Sequence, residues 1–179
     1  MAVGTSPVET RELYGGAMVC TLPVRLKDVS DMRPVPDHQE VWADPDLDQA
    51  LIFEVVEHDA SVINADVGRH VFEDAAVGNE AASASVAGVR PLAAAEVPSL
   101  PEGGYACLVS GSMTVRRGQD TQDTAVLLAV LRMPHVASDL LLTLSTPAAA
   151  PAPAQAEAEG VMSAALRSLE IRDWGLFGG

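Results

Sequence analysis

Hydrophobic and polar positions alternate most clearly in the second half of the chain. Cys107, Val109, Gly111, Met113 and Val115 interleave with Leu108, Ser110, Ser112 and Thr114, which predicts a strand with one apolar and one mostly polar face. The polar stretch Arg116 to Asp123 returns the chain into Thr124 to Met133, apolar on both faces and therefore expected at the centre of a sheet. Pro134 to Ser138 turns it again into Asp139 to Thr146, so the three segments read as an antiparallel meander. Upstream, Ala17 to Leu22 is introduced by Gly15 and Gly16 and closed by Pro23, a strand pattern. Between Lys27 and Pro45 the chain is polar, and Pro34, Pro36 and Pro45 exclude a continuous helix, with Val41 and Trp42 left to pair briefly as a strand.

Leu51 to Val56 reads as a strand with Leu51, Phe53 and Val55 on one face and Ile52, Glu54 and Val56 on the other. Glu54 thus interrupts an apolar face. Because burying an unpaired carboxylate costs several kcal/mol, that face is expected to reach solvent or a partner. A helix over the same residues would instead bring Glu54 and Glu57 together at i, i+3, so whether they share a face is open. Asp66 to Val77 has helical spacing, with Val67, Val71 and Ala75 every four residues, Phe72 beside them and Gly78 placed to cap the end. Ala84 to Val89 is a weak strand, and Pro91 to Gly104 is a loop with room for one helical turn.

Residues 147–156 are rich in Pro and Ala and read as an exposed, semi-rigid linker. After it, Met162, Leu166 and Leu169 mark an amphipathic helix over Glu157 to Leu169. Residues 1–11 are expected to be a flexible N-terminus and 12–179 one domain. The predicted fold is α+β, an antiparallel sheet of about six strands flanked by two helices.

Composition narrows the function. The chain has 179 residues, 48% hydrophobic and 4% aromatic, enough for a core built mainly from aliphatic side chains. Its 25 acidic against 11 basic side chains give a formal charge of −14. A nucleic-acid binder needs a basic face, so that partner is not expected, whereas a protein with a basic surface is. The longest apolar run, Ala125 to Leu131, falls far short of the ~20 residues that span a bilayer, so no membrane partner is expected. Met1 to Arg11 show neither a secretory nor a transit pattern. Cys20 and Cys107, both in apolar strand patterns, are expected to be buried free thiols.

Catalytic motifs are absent from the sequence. The Gly-Gly pairs at 15–16 and 103–104 lack the lysine or third glycine of a phosphate-cradling loop, and Ser110 and Ser112 do not sit in a G-x-S-x-G elbow. The four histidines are scattered without H-E-x-x-H or C-x-x-C spacing; His70, Glu73 and Asp74 read as a solvated helix face. No cofactor, metal or catalytic residue is expected. The unusual feature is the density of carboxylates from Asp28 through Asp31, Asp37 and Glu40 to Glu54 and Glu57, either a solvated acidic surface or a recognition surface for a basic partner.

Three stretches carry a resemblance. Glu12 to Ala17 (ELYGGA), Asp28 to Val41 (DVSDMRPVPDHQEV) and Asp48 to Glu57 (DQALIFEVVE) resemble the Ran guanine nucleotide release factors, the Mog family. Phe72-Glu73-Asp74, Leu131 to Pro134, Asp139 to Thr143, Leu169 to Ile171 and Leu176 to Gly178 extend the match. The resemblance implies a sheet flanked by helices, shared with the P subunit of the photosynthetic oxygen-evolving complex. It implies binding of Ran, with stimulated nucleotide release, in nuclear protein transport, in nucleus and cytoplasm, with or without a further Ran-binding protein; the chain itself is expected to be a monomer. In the family an acidic patch carries the interaction, and its carboxylates fall on Glu54, Glu57 and Asp28. Asp37 and Glu40, with Asp31 in the same stretch, would form a polar rim. Val71 stands where family members usually carry a histidine, so that residue's role is not carried over. The alternatives are an adaptor of the same fold without exchange activity and a lumenal photosystem subunit.

Overall fold

The computed structural model describes residues 6–178. Strand β1, Val8–Leu13, returns antiparallel as β2, Met18–Pro23. Three successive residues with positive φ make the reversal, Tyr14 (52°), Gly15 (66°) and Gly16 (96°), of which only the tyrosine carries a Cβ to strain. The two-residue strand β3, Lys27–Asp28, leads into a 3-10 turn at Val29–Asp31. Strands β4, Gln39–Asp44, and β5, Gln49–Glu57, precede helix α1, Asn64–Gly78. Then come β6, Ser83–Pro91, β7, Tyr105–Arg117, β8, Asp120–Met133, and β9, Ser138–Pro147. Helix α2, Ala152–Ser168, and β10, Glu170–Ile171, end on a 3-10 turn at Trp174–Phe177.

All pairings are antiparallel. The main sheet has seven strands in the order β3-β4-β5-β9-β8-β7-β6, and a second has three, β1-β2-β10. This is the expected α+β architecture with more strands than the predicted six or so. The additional ones are β1, whose VETREL sequence has no apolar face, and the two-residue β3 and β10; none is long or patterned enough to read locally.

Strand alternation builds two cores, one on each face of the main sheet. Leu51, Phe53, Leu131, Leu140 and Leu142 face α2 and the small sheet. Cys107, Val109, Leu128, Val130 and Leu141 face α1. From Leu128 to Leu131, β8 is apolar on both faces because it is covered on both, Ala129 and Leu131 lying in one core and Leu128 and Val130 in the other. Two glycines permit the close approach of α1. A Cβ at Gly111 would lie 2.5 Å from the Ser85 carbonyl oxygen and 2.7 Å from the Phe72 ring, and one at Gly68 would lie 2.9 Å from Val89.

Three expectations are corrected. Residues 8–11, expected in a flexible N-terminus, form most of β1 and pair with Cys20 to Pro23, while residues 1–5 lie outside the described residues. The 147–156 linker shrinks to residues 148–151, since Pro147 ends β9 and α2 already begins at Ala152, with Ala154 buried. Pro153 is tolerated because the first helical turn has no carbonyl waiting for its missing N–H. Gln155 closes the connection by donating to the Ala148 and Ala150 carbonyls at 2.7 and 3.0 Å. Finally, Gly78 is the last helical residue of α1 and not its cap; Asn79 caps, its side-chain amide donating to the Ala75 carbonyl at 2.8 Å.

Candidate partner-binding site

The carboxylates singled out by sequence gather at the end of the main sheet where β4 begins and β5 ends. Asp28 caps the 3-10 turn, accepting from the Ser30 N–H at 2.9 Å and hydroxyl at 2.7 Å, and its backbone pairs with Trp42 in β4. Glu40 lies two residues before Trp42 on the same strand face, which makes it a diagonal neighbour of Asp28. It accepts from the Tyr14 N–H at 2.7 Å. Burial pushes the Glu40 carboxyl up, the Tyr14 N–H opposes that, and the nearby Asp28 charge adds to the rise. Burial, with the charges of Glu40 and Glu54, raises the Tyr14 phenol far above its ordinary value. The phenol therefore stays a donor, to the His38 carbonyl at 3.0 Å. That carbonyl also accepts from the Val55 N–H at 2.9 Å, so one oxygen ties the small sheet to the β4–β5 edge.

Glu54 sits opposite Gln39, whose amide donates to it, and 3.6 Å from the His38 Nε2. Register decides what the sequence left open. The β5–β9 ladder runs unbroken from Ala50 to Glu57, so these residues are a strand, and Glu54 and Glu57 alternate to opposite faces. Glu54 belongs to the α1 side, while Asp28 and Glu40 belong to the side of Phe53. Glu57, exposed at the last position of β5, pairs with Ser138. Asp31 and Asp37 are exposed on the turn and loop between β3 and β4.

Helix α1 packs over β6, β7 and β8 and leaves the same face open along β5 and at Thr143 and Ser145 of β9. The result is an open cleft of about 590 Å³, floored by Ile52, Val56 and Thr143 and walled by Val71 and Asp74 of α1; Glu54 and Glu57 both border it. Val71, the position of the departure noted in the sequence, thus places an apolar side chain in the cleft wall beside Asp74.

A buried polar network that the sequence did not reveal fixes the segment between β5 and α1. Arg132, 3% exposed, donates through Nη1 to the Val62 carbonyl (2.7 Å) and Asn64 Oδ1 (2.9 Å), and through Nη2 to the Asp59 carbonyl (2.6 Å). Its Nε lies 3.6 Å from Asp139, which in turn is 2.7 Å from His58 Nδ1. The network starts immediately after Glu57 and so determines where β5 ends. Tyr14 was likewise not anticipated as part of the site, although it lies within a stretch that carried the resemblance. Among the described residues, no group of three or more His, Cys, Asp or Glu is placed to hold a metal ion, and no helix is long and apolar enough to cross a membrane.

Residues 11–147 match the family model described as Ran-interacting Mog1 protein. The chain belongs to the Mog1 family. This Mog1-family chain is 38% identical over 143 residues to the Ran guanine nucleotide release factor of Bos taurus, covering 79% of the chain and 77% of that relative. Its match to the Ran guanine nucleotide release factor of Danio rerio is 33% over 184 residues, covering 94% of the chain and the whole of the relative. Among solved structures, the Saccharomyces cerevisiae Ran-binding protein Mog1p superposes with a TM-score of 0.73 at 19% identity, over 97% of the chain and 100% of Mog1p. Cyanobacterial PsbP from Synechocystis does so at 0.59 and 14% identity, over 96% of each chain. The Mog/PsbP-like fold expected from the sequence is therefore the observed one, and PsbP resembles this chain in fold alone.

Proposed function

We propose that this protein binds the small GTPase Ran and stimulates release of its guanine nucleotide, without bond-making chemistry of its own. Membership of the Mog1 family, with relatives named Ran guanine nucleotide release factor, carries this reading. The contact is the acidic end of the main sheet: Glu54, Glu57 and Asp28 meet basic groups of the GTPase near its phosphate-binding segments, with Glu40, Asp31 and Asp37 around them. Anionic side chains held on strand backbone suit the task, since they grip a cationic surface without first being ordered.

Release requires tighter binding to the emptied GTPase than to the loaded one, because a ligand shifts an equilibrium only by its differential affinity. Weakening nucleotide a thousandfold needs about 4 kcal/mol of coupling. Two or three charge-assisted hydrogen bonds at ~1.5 to 3 kcal/mol each reach that size if water is excluded. The protein acts as a monomer in nucleocytoplasmic protein transport, in nucleus and cytoplasm, with neither nucleic acid nor membrane as partner.

Stopped-flow loss of a fluorescent guanine nucleotide from Ran, with and without the protein, tests the reading. Acceleration by the native chain and its loss in Glu57→Lys, with circular dichroism unchanged, are expected. Binding without acceleration would replace exchange by an adaptor role, and an undiminished rate with Glu57→Lys would remove Glu57 from the contact.

A further inference from the structure

The end of β5 carries one more feature that the acidic surface does not explain. Every phenylalanine in the chain is buried, as is Trp42, yet Trp174 is 37% exposed. Its ring packs against His135 (centroids 5.2 Å apart) and Phe177 (5.5 Å). The segment holding it is fastened on all sides. The Arg172 and Asp173 N–H groups both donate to the Ala17 carbonyl, at 2.8 and 3.1 Å, the Asp173 carboxylate caps the turn through the Gly175 N–H at 2.9 Å, and Phe177 is buried. An apolar ring kept at the surface by so many restraints loses little freedom when a partner covers it.

Its position is continuous with the acidic end of the sheet. Ser138 stands opposite Glu57, and directly paired residues share a face. The Ser138 hydroxyl faces the carbonyl of Phe177, at 3.5 Å, three residues from Trp174. The β8–β9 turn that carries His135 also holds the strand end, since the His58 N–H donates to the Ala137 carbonyl at 3.0 Å. Glu57 and Trp174 are thereby brought to the same corner of the molecule, one supplying charge and the other a π face.

We propose that Trp174 is the aromatic anchor of the partner interface and that, together with Glu57, it receives an arginine side chain of the GTPase. A guanidinium stacks its plane on an indole while its edge donates to a carboxylate, a combination an ammonium cannot match. The formal charge of −14 favours such a cation over an acidic or neutral occupant. This assignment rests on the Ran-binding reading above, and its test separates the two.

With both tryptophans labelled as 5-fluorotryptophan, buried Trp42 serves as the internal reference in fluorine NMR. On addition of nucleotide-free Ran, the Trp174 resonance should shift and lose its H₂O/D₂O isotope effect while that of Trp42 stays in place. Trp174→Ala should weaken the complex at least about 30-fold, the loss typical of an aromatic hot spot, with the Trp42 resonance unchanged and the variant still fully folded at the assay temperature by circular dichroism. A Trp174 that stays solvent-accessible in the saturated complex overturns the proposal whatever the variant does. If Glu57→Lys abolishes binding while Trp174 is silent, only the anchor is refuted. If the native chain fails to bind Ran at all, the parent reading falls with it.

Discussion

Removing Asp139 should expose how much the buried network around Arg132 contributes. Asp139 is 4% exposed and Arg132 3%, so Asp139→Leu leaves a guanidinium shielded from water with only the neutral acceptors at Asp59, Val62 and Asn64. Breaking one side of a buried ion pair costs about 3 to 5 kcal/mol. For a domain of this length each kcal/mol lowers the midpoint by roughly 2 to 4 °C, so a fall of at least about 6 °C is expected. The decisive comparison is the double variant Arg132→Met/Asp139→Leu. With no charge left uncompensated, it should be more stable than Asp139→Leu alone and clearly less destabilised than the sum of the two single changes. Urea unfolding of the four proteins, followed by circular dichroism, gives the cycle directly. An Asp139→Leu loss below about 1 kcal/mol, or strict additivity, would refute the idea that the pair is held as a unit. Hydrogen exchange should also accelerate at the start of α1 in the single variant, because Arg132 supplies the donors for the carbonyls that lead into it.

Gly111→Ala should destabilise by about 1 to 3 kcal/mol, since its Cβ would meet the Ser85 carbonyl and the Phe72 ring; an unchanged urea midpoint would contradict the close contact of α1 on β7. Glu40 binds its proton more tightly folded than unfolded, so its contribution to stability falls as pH rises from the ordinary glutamate value, ~4.3, through the raised folded value. Glu40→Gln, which keeps an acceptor for the Tyr14 N–H, should therefore gain stability over the native chain at pH 7 and lose that advantage near pH 4; a difference independent of pH would argue against the assignment. Burial pushes the thiols of Cys20 and Cys107 up to about 12 and about 11. Neither should react with a disulfide reagent at pH 8 until the protein is unfolded in guanidinium, and rapid labelling of the native chain would place at least one at the surface.

The central part of the fold was legible because its signals are local. In β7 alternation shows which residues face the core, two-sided apolarity places β8 inside, and the turn at Pro134 to Ser138 brings β9 back beside it. Met162, Leu166 and Leu169 mark the end of α2 in the same way. The carboxylates at 28, 40, 54 and 57 were equally visible as residue types, and the stretches around them carried the family resemblance. Their arrangement was not visible. Whether Glu54 and Glu57 share a face depends on β5 pairing with β9 without a bulge, and the meeting of Asp28 with Glu40 depends on the two residues of β3 docking on β4. β1 escaped detection because its pairing with β2, and not its own pattern, makes it a strand, and the first turn of α2 because Ala154 packs into the interior. His58 reaches Asp139 across 81 positions, and Ser138 reaches Phe177 across 39. Periodicity records how a residue sits relative to its neighbours in the chain. Contacts over such separations follow from which strands pair and in what register, a choice made by the whole core at once, and that choice alone placed the acidic end, the Arg132 network and Trp174 around the end of β5.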